Sequence, residues 1–344
     1  MRLEPPSWWY RGSIPLGAWS LLPASALYGG IVRLRFHMAS PYRSKLPVIC
    51  VGNFTLGGAG KTPAAIKLAS LLRDRGRKPA FLTRGYGGAK PGPYQVSPTR
   101  DDAETVGDEA LLLAEAGITV VSRHRPAGAL LLENLEADTI VMDDGFQNPS
   151  LAKNFNLIVV HAGPSIGCGH VFPLGPLRAP LGFQMAMADA ILLMGAKNSG
   201  HTAQAISQLR LARTVQRCRV PNIFEARIVA LPADEMRAKS FLAFCAIGRP
   251  QKFFDTLSET GIRVSNTRSF RDHHPFSDDD AKALIAEAQA LNAGLITTEK
   301  DHVRLKGLSG ARGELYRLAL PLPITIEFAQ GHEETLMSAI LARI

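Results

Sequence analysis

Cysteine is scarce in this chain, and Cys50, Cys168, Cys218 and Cys245 stand far apart with no C-x-x-C pair among them. That spacing excludes a disulfide framework and a cysteine-ligated zinc site, and it suits a reducing compartment. Cys50 and Cys245 fall in apolar, strand-like runs, where a thiol behaves as a small buried hydrophobe. Internal repeats and low-complexity tracts are also missing. Acidic residues are the minority charge, 30 against 39 basic, which leaves a formal net charge of +9. Such a balance favours acidic partners: nucleotide phosphates, an anionic membrane surface or nucleic acid. Nucleic acid ranks last, because the basic residues are scattered, without arginine–aromatic interleaving or a zinc-finger or RNA-binding signature. A guanine-specifying N-K-x-D motif is absent too, and Lys300-Asp301 is only a superficial echo of it.

One stretch lacks charge altogether. No charged residue occurs between Arg11 and Arg33, and 14–32 reads IPLGAWSLLPASALYGGIV. Its length approaches the ~20 residues that span a bilayer. Pro15, Pro23, Gly17, Gly29 and Gly30 make it a poor continuous helix, and Glu4 with the early prolines argues against a signal peptide. Trp8, Trp9, Tyr10, Trp19 and Tyr28 are aromatics that settle at a headgroup boundary, and Arg33 and Arg35 can meet anionic phosphates. The reading is an interfacial or shallowly inserted helical anchor; a true span and a plain core helix are the alternatives.

What the chain does have is an ordinary globular composition. Its 344 residues are 46% hydrophobic and 20% charged, enough for a substantial core and two domains. From residue 46 apolar runs alternate with amphipathic segments, the rhythm of an α/β fold. Strands are expected at 46–52, 78–84, 118–122, 139–142, 156–161 and 189–194, with helices at 61–75, 107–116 and 126–135. A second series places strands at 241–247, 262–270, 295–298 and 324–328, and helices at 249–260, 278–291 and 333–344. The expected architecture is a P-loop NTPase-like core (39–225), a smaller second α/β lobe (226–344) and the apolar N-terminal segment (1–38). A link near 219–238 is the expected boundary, and two lobes facing a cleft is the simplest arrangement.

The strongest motif is Thr55-Leu56-Gly57-Gly58-Ala59-Gly60-Lys61-Thr62, a G-x-x-x-x-G-K-[ST] loop whose first glycine is threonine. Glycines at 57, 58 and 60 let backbone N–H groups turn toward phosphate oxygens, and the following helix adds its positive end. Lys61 can reach the β- and γ-phosphates and the Thr62 hydroxyl can ligate Mg²⁺. A glycine-rich turn with a chance GKT is the bland alternative, which the strand before and the helix after disfavour. Asp143 and Asp144 end an apolar strand, where a Walker-B carboxylate belongs and where two acids need a cation such as Mg²⁺. A plain Asp-Asp-Gly turn is the alternative there. Asp108-Glu109 would also serve as an acid pair at a helix start, His273-His274 as a surface turn, and Arg84 as a solvated strand end.

Taken together these segments resemble a known family. VGN at 51–53, GGAGKTP at 57–63, TRGYGG at 83–88, VGDE at 106–109, DDGFQ at 143–147, PLGPLR at 173–178, DHH at 272–274 and TTEKD at 297–301 occur in that order. The run resembles tetraacyldisaccharide 4′-kinase, from 6–10 (PSWWY) to 301–305 (DHVRL). The resemblance implies a specific ATP-dependent reaction, transfer of the γ-phosphoryl to the 4′-hydroxyl of a tetraacyldisaccharide 1-phosphate to give lipid IVA. It implies that Asp108 activates the hydroxyl with help from His273. It assigns Lys61, Thr62, Asp143 and Asp144 to phosphate and magnesium, with Arg84 and Arg123 as partners for phosphate charge. It further implies a monomer acting on an acylated lipid at the cytoplasmic face of the inner membrane of a Gram-negative bacterium. Two departures stand out. Ala179 replaces a glutamate usual after Arg178, for which Glu109 is a candidate substitute, and Asn148 replaces a usual histidine. The rival readings are another membrane-associated P-loop NTPase and a kinase of a soluble sugar or cofactor.

Overall fold

The protein, seen here in a computed structural model, is described at residues 5–10, 13–58, 60–163, 165–195, 205–207, 209 and 221–344. In chain order its first elements are α1 (Leu22–His37), β1 (Val48–Gly52), α2 (Lys61–Arg73), β2 (Pro79–Thr83), β3 (Tyr94–Gln95), α3 (Ala103–Val106), α4 (Asp108–Ala116) and β4 (Thr119–Val121). Then come α5 (Arg125–Leu132), β5 (Thr139–Asp143), β6 (Phe155–His161), α6 (Leu181–Met187), β7 (Ala190–Met194) and β8 (Asn222–Ala230). The remainder is α7 (Asp234–Ala238), β9 (Ser240–Cys245), α8 (Pro250–Glu259), β10 (Arg263–Ser269), α9 (Asp278–Ala290), β11 (Gly294–Thr298), α10 (Glu299–Leu305), α11 (Gly310–Leu318), β12 (Ala319–Leu322), β13 (Ile324–Phe328) and α12 (His332–Leu341).

Two compact units share these elements. The first is Met1–Thr83, Arg125–Arg227 and Ile326–Ile344; the second is Arg84–His124 and Ile228–Thr325. The expected division at 225/226 falls inside β8, beside the Arg227/Ile228 crossing. Residues 84–124 belong to the second unit and the last helix returns to the first, an exchange that a linear reading does not show.

In the first unit the strand order is β13-β8-β7-β6-β1-β5-β2, with β1 between β6 and β5. β1 and β5 are buried at every position, as strands covered on both faces must be, which explains their unbroken apolar runs. Their parallel register sets Val51 opposite Asp143. The chain leaves β1 and β5 at the same carboxyl edge, where open α/β sheets bind ligands.

The N-terminal helix begins later and runs further than its apolar stretch suggests. A 3₁₀ segment, Leu16–Leu21, precedes α1, and Pro23 sits in the first turn, where its missing N–H costs nothing. Ser25, Gly29 and Val32 are buried, one stripe of the helix. Gly29 explains the close approach: a Cβ there would lie 3.1 Å from Pro180 and 3.8 Å from Val171. Ser25 Oγ donates to the Val171 carbonyl at 2.5 Å. Leu22, Leu27, Ile31 and Leu34 point to solvent, Leu27 at 67% exposure. Among the described residues no helix is long and apolar enough to cross a membrane.

The second unit holds a parallel four-stranded sheet, β10-β9-β11-β12. Alternate residues of β9 face opposite ways: Leu242 and Phe244 pack with Ala281, Leu284 and Leu315, while Phe241, Ala243 and Cys245 pack with Phe253 and Leu257. A third cluster joins Val106, Ala110, Leu111 and Val121 to Val303 of α10. That contact brings the start of α4 to α10. The expected link at 219–238 is corrected: its described part holds β8 and α7. Phe224 and Ala226 are buried while Glu225 and Arg227 alternate with them, a period-two signal that the link reading passed over.

Candidate active site

The first unit assembles a phosphate-type loop at the end of β1. Gly57 (φ 103°) and Gly60 (φ 88°) adopt left-handed backbone that other residues avoid. Gly58 has no such torsion, and a Cβ there would meet nothing within 4 Å, so its missing side chain leaves open room rather than easing a contact. Helix α2 starts at Lys61 with no side-chain cap, leaving its first N–H groups directed at the loop. Thr55 and Leu56 are pinned from outside: Thr55 bridges Leu177, Arg178 Nε donates to the Thr55 carbonyl at 3.0 Å, and Leu56 N donates to Pro176 at 2.8 Å. Tyr10 Oη lies 3.4 Å from the Leu56 carbonyl. Ala59 lies outside the described residues.

Thr62 Oγ1 donates to Asp143 Oδ2 at 3.1 Å, with both residues buried. Asp144 takes a left-handed conformation (φ 50°) and turns its carboxylate to cations. Arg178 Nη1 is 3.0 Å from Oδ1, its Nη2 is 3.4 Å from Oδ2, and Lys61 Nζ is 3.7 Å from Oδ1. Burial alone would raise the Asp144 pKa, but Lys61 and Arg178 outweigh it and hold the carboxyl below its ordinary value. Thr62, Asp143 and Asp144 form a hard-oxygen set of the kind that holds Mg²⁺ together with substrate phosphates. No group of three or more His, Cys, Asp or Glu side chains suited to a metal occurs among the described residues.

Behind this loop lies an amide network. Gln147 Nε2 donates to the Asn53 carbonyl at 2.7 Å and lies 2.9 Å from Gln184 Oε1. Gln184, wholly buried, donates to the carbonyls of Ala179 (2.8 Å) and Phe54 (3.3 Å). The position of the missing glutamate is thus a buried methyl whose carbonyl is satisfied by Gln184. Asn148 closes a local turn, accepting from Ser150 N at 2.9 Å and Oγ at 2.6 Å.

The second unit builds a charged cluster around Asp108. Gly107 (φ 91°) lets the chain turn into α4, whose first residue is Asp108. Asp108 Oδ2 meets His273 Nδ1 at 3.1 Å, Arg304 Nε at 2.8 Å and Nη2 at 2.7 Å, with Lys300 Nζ at 3.8 Å. His273 is held at φ 58° by its N–H bond to the Ala246 carbonyl, 3.0 Å. Burial works against the Asp108 charge, yet the His273 hydrogen bond and the Lys300 and Arg304 charges prevail and hold its carboxyl well below the usual range. Glu109 pairs with Lys300 at 3.3 Å and so is already engaged within this cluster. Arg84 and Arg123 also belong to this unit, both exposed, and Arg123 Nη2 donates to the Gly88 carbonyl at 3.2 Å.

The Asp108 arrangement carries a stability consequence. A folded pKa depressed below the unfolded value means stabilisation that is complete above about pH 4 and is lost as pH falls toward the folded pKa. Asp108→Asn should therefore flatten the acid side of the stability profile by about 1–3 kcal/mol, read from urea midpoints between about pH 5 and about pH 2. Identical acid profiles for the two proteins would show that Asp108 is not depressed.

Sequence reasoning passed over Arg178, Gln147, Lys300 and Arg304 as working residues, although their motifs were recognised. One signal was available on α10: Asp301 and Arg304 stand one helical turn apart and pair.

The model of the tetraacyldisaccharide-1-P 4′-kinase family matches residues 17–344. The chain belongs to that family. A tetraacyldisaccharide 4′-kinase of Parvibaculum lavamentivorans is 45% identical over 327 residues, 94% of this chain and 93% of the relative. One from Methylobacterium nodulans is 43% identical over 341 residues, 99% of this chain and 96% of the relative. The solved structure of LpxK from Aquifex aeolicus in complex with ATP is 26% identical, with a TM-score of 0.72, covering 95% of this chain and 99% of that one. The kinase family thus accounts for nearly the whole chain, including both units.

Proposed function

We propose that this protein transfers the γ-phosphoryl group of ATP to the 4′-hydroxyl of a tetraacyldisaccharide 1-phosphate, giving lipid IVA. The observation that carries the reading is the uncapped start of α2 with Lys61 and Thr62 beside the two strand-end aspartates, in a chain of this family. In the first unit the loop of 55–62 receives the phosphates, Lys61 moves its charge from Asp144 to them, and Arg178 stays on Asp144. Thr62, Asp143 and Asp144 would hold Mg²⁺, which supplies charge neutralisation between the phosphates. Arg84 and Arg123 are further partners for phosphate charge.

In the second unit Asp108 and His273 form the acceptor-activating pair. A depressed carboxylate is a weak base in the ground state. Phosphoryl transfer is largely loose, however, so the hydroxyl proton is lost late, when the oxygen has become strongly acidic. A permanently ionised carboxylate then suffices. Transfer of radiolabel from ATP to the lipid, and not to a water-soluble sugar, is the test; label found only in inorganic phosphate would reduce the protein to an ATPase.

The acceptor's acyl chains fix where the enzyme works. The outward face of α1, with Leu27, Ile31 and Leu34, would lie at the headgroup boundary of the inner membrane on its cytoplasmic side, next to Arg33 and Arg35. Burying each such side chain is worth about 1.5–3 kcal/mol. The triple change Leu27→Ser, Ile31→Ser, Leu34→Ser should lower binding to anionic vesicles by at least roughly 100-fold and leave ATP affinity near wild type. Unchanged sedimentation with vesicles would place the anchor elsewhere.

A further inference from the structure

Arg304 is built into the second unit more rigidly than a chance ion-pair partner. Its Nε and Nη2 both reach Asp108 Oδ2, and Nη2 is also 3.2 Å from His273 Nδ1. The far side of the guanidinium is tied down as well. Nη1 donates to the Ala246 carbonyl at 2.9 Å and to Asp301 Oδ1 at 2.5 Å. Asp301 is fully buried and fixed by the Ala246 N–H at 3.0 Å and Thr298 Oγ1 at 2.7 Å. The planar fork therefore spans two carboxylates, with the carboxyl ends of β9 and β11 as its frame.

We propose that Arg304 is a positioning residue for the acceptor-activating pair: it fixes which oxygen of Asp108 meets the substrate hydroxyl and, by its charge, keeps that carboxylate ionised. The proposal deepens the reading of Asp108 and His273 given above and rests on it. The lone pairs of Oδ2 are spent on Arg304 and His273. Oδ1 accepts from the Glu109 N–H at 2.9 Å and has a second lone pair. Oδ1 is the atom that takes the proton: the substrate O–H bond breaks, the O–P bond forms, ADP leaves, and the neutral Asp108 acid later returns its proton to water. Lysine could supply the charge in this position but not the two-nitrogen grip.

The groups that govern the ionisation of Asp108 come from three elements. Glu109 lies on its own helix, and His273, with Asp272 at 3.9 Å and Tyr86 against its ring, comes from the turn after β10. Lys300, Asp301 and Arg304 come from α10. Arg304 is the cation in closest contact, so its removal leaves burial opposed by His273, Lys300 and the Glu109 N–H. Opposite charges at such range depress a carboxyl by about 1–3 pH units, and that much should be returned.

The test compares the pH dependence of kcat and kcat/KM for the full-length wild type, Arg304→Met, Arg304→Lys and Asp108→Ala, with lipid acceptor and ATP. Arg304→Met should lose roughly 100-fold in kcat and acquire an acid limb about 1–3 pH units above any limb of the wild type, with the KM for ATP within about twofold. Arg304→Lys should restore most of the limb and little of the rate. An unmoved limb in Arg304→Met, while Asp108→Ala abolishes transfer, overturns the proposal and leaves the pair intact. Full transfer by Asp108→Ala would instead overturn the pair itself. Should Arg304→Met fail to unfold cooperatively, Arg304→Lys decides, and a wild-type rate in that variant also overturns the proposal.

Discussion

Lys61→Ala is expected to lower phosphoryl transfer by roughly 10³-fold or more, the largest loss from any single change in the first unit. The reason lies in how little covalent chemistry the protein performs in this reaction: catalysis is placement and charge neutralisation. Lys61 opens α2 and reaches toward Asp144, so its ammonium is already held at the edge where β1 and β5 end. Alanine keeps the helix, since it is the best helix former, and removes only the charge. Both kcat and ATP affinity should fall, and Arg178 should still hold Asp144, so that the fold survives. Steady-state kinetics with an unfolding control checks this. A Lys61→Ala enzyme with more than about a tenth of normal activity would take the loop of 55–62 out of the mechanism.

Asp108→Ala should cost about 10²–10⁴-fold in kcat, the usual range for general acid–base assistance, with ATP affinity near wild type. Removing the carboxylate leaves Arg304, Lys300 and His273 facing one another without their common anion. Destabilisation therefore accompanies the kinetic loss, and Asp108→Asn is the cleaner probe of chemistry. His273→Ala should lower kcat more mildly. If the two act as one unit, the double variant should be little worse than Asp108→Ala alone. Additive losses would give His273 an independent task, and a loss of ATP affinity in Asp108→Ala would move that residue to the nucleotide.

Much of the nucleotide half was legible because its signals are local. A buried strand, a glycine loop and a helix follow one another within 48–73, and Asp143 is aligned with them through a sheet register that apolar runs already suggest. Arg304 was not legible in the same way. Its partner Asp108 is 196 residues distant, and beyond Asp301 one turn before it the neighbouring sequence does not distinguish it from a solvated helix arginine. His273 and Asp108, 165 residues apart, were paired only through the family resemblance. The strand β8 falls where a link is expected, although Phe224 and Ala226 alternate with charged neighbours, because a period-two alternation over so few residues is a weak signal. The insertion of 84–124 into the second unit was hidden for a plainer reason: hydrophobic pattern tells which face is buried, not against which partner.

That insertion sets an order of events during synthesis. Asp108 leaves the ribosome 165 residues before His273 and 196 before Arg304, roughly ten to forty seconds at ordinary elongation rates. Through that interval the start of α4 has no counter-charge and no reason to become buried. The first unit is unfinished at that point too, because it also needs the edge strand β13 and the buried Leu336, Met337 and Ile340 of α12, which follow Arg304 in the chain. Chains interrupted shortly after Arg304 therefore lack parts of both units and expose apolar surface in the first. The two units are therefore completed close together, once β12, β13 and α12 have been made, and interrupted chains carry the exposed patches that chaperones and proteases recognise.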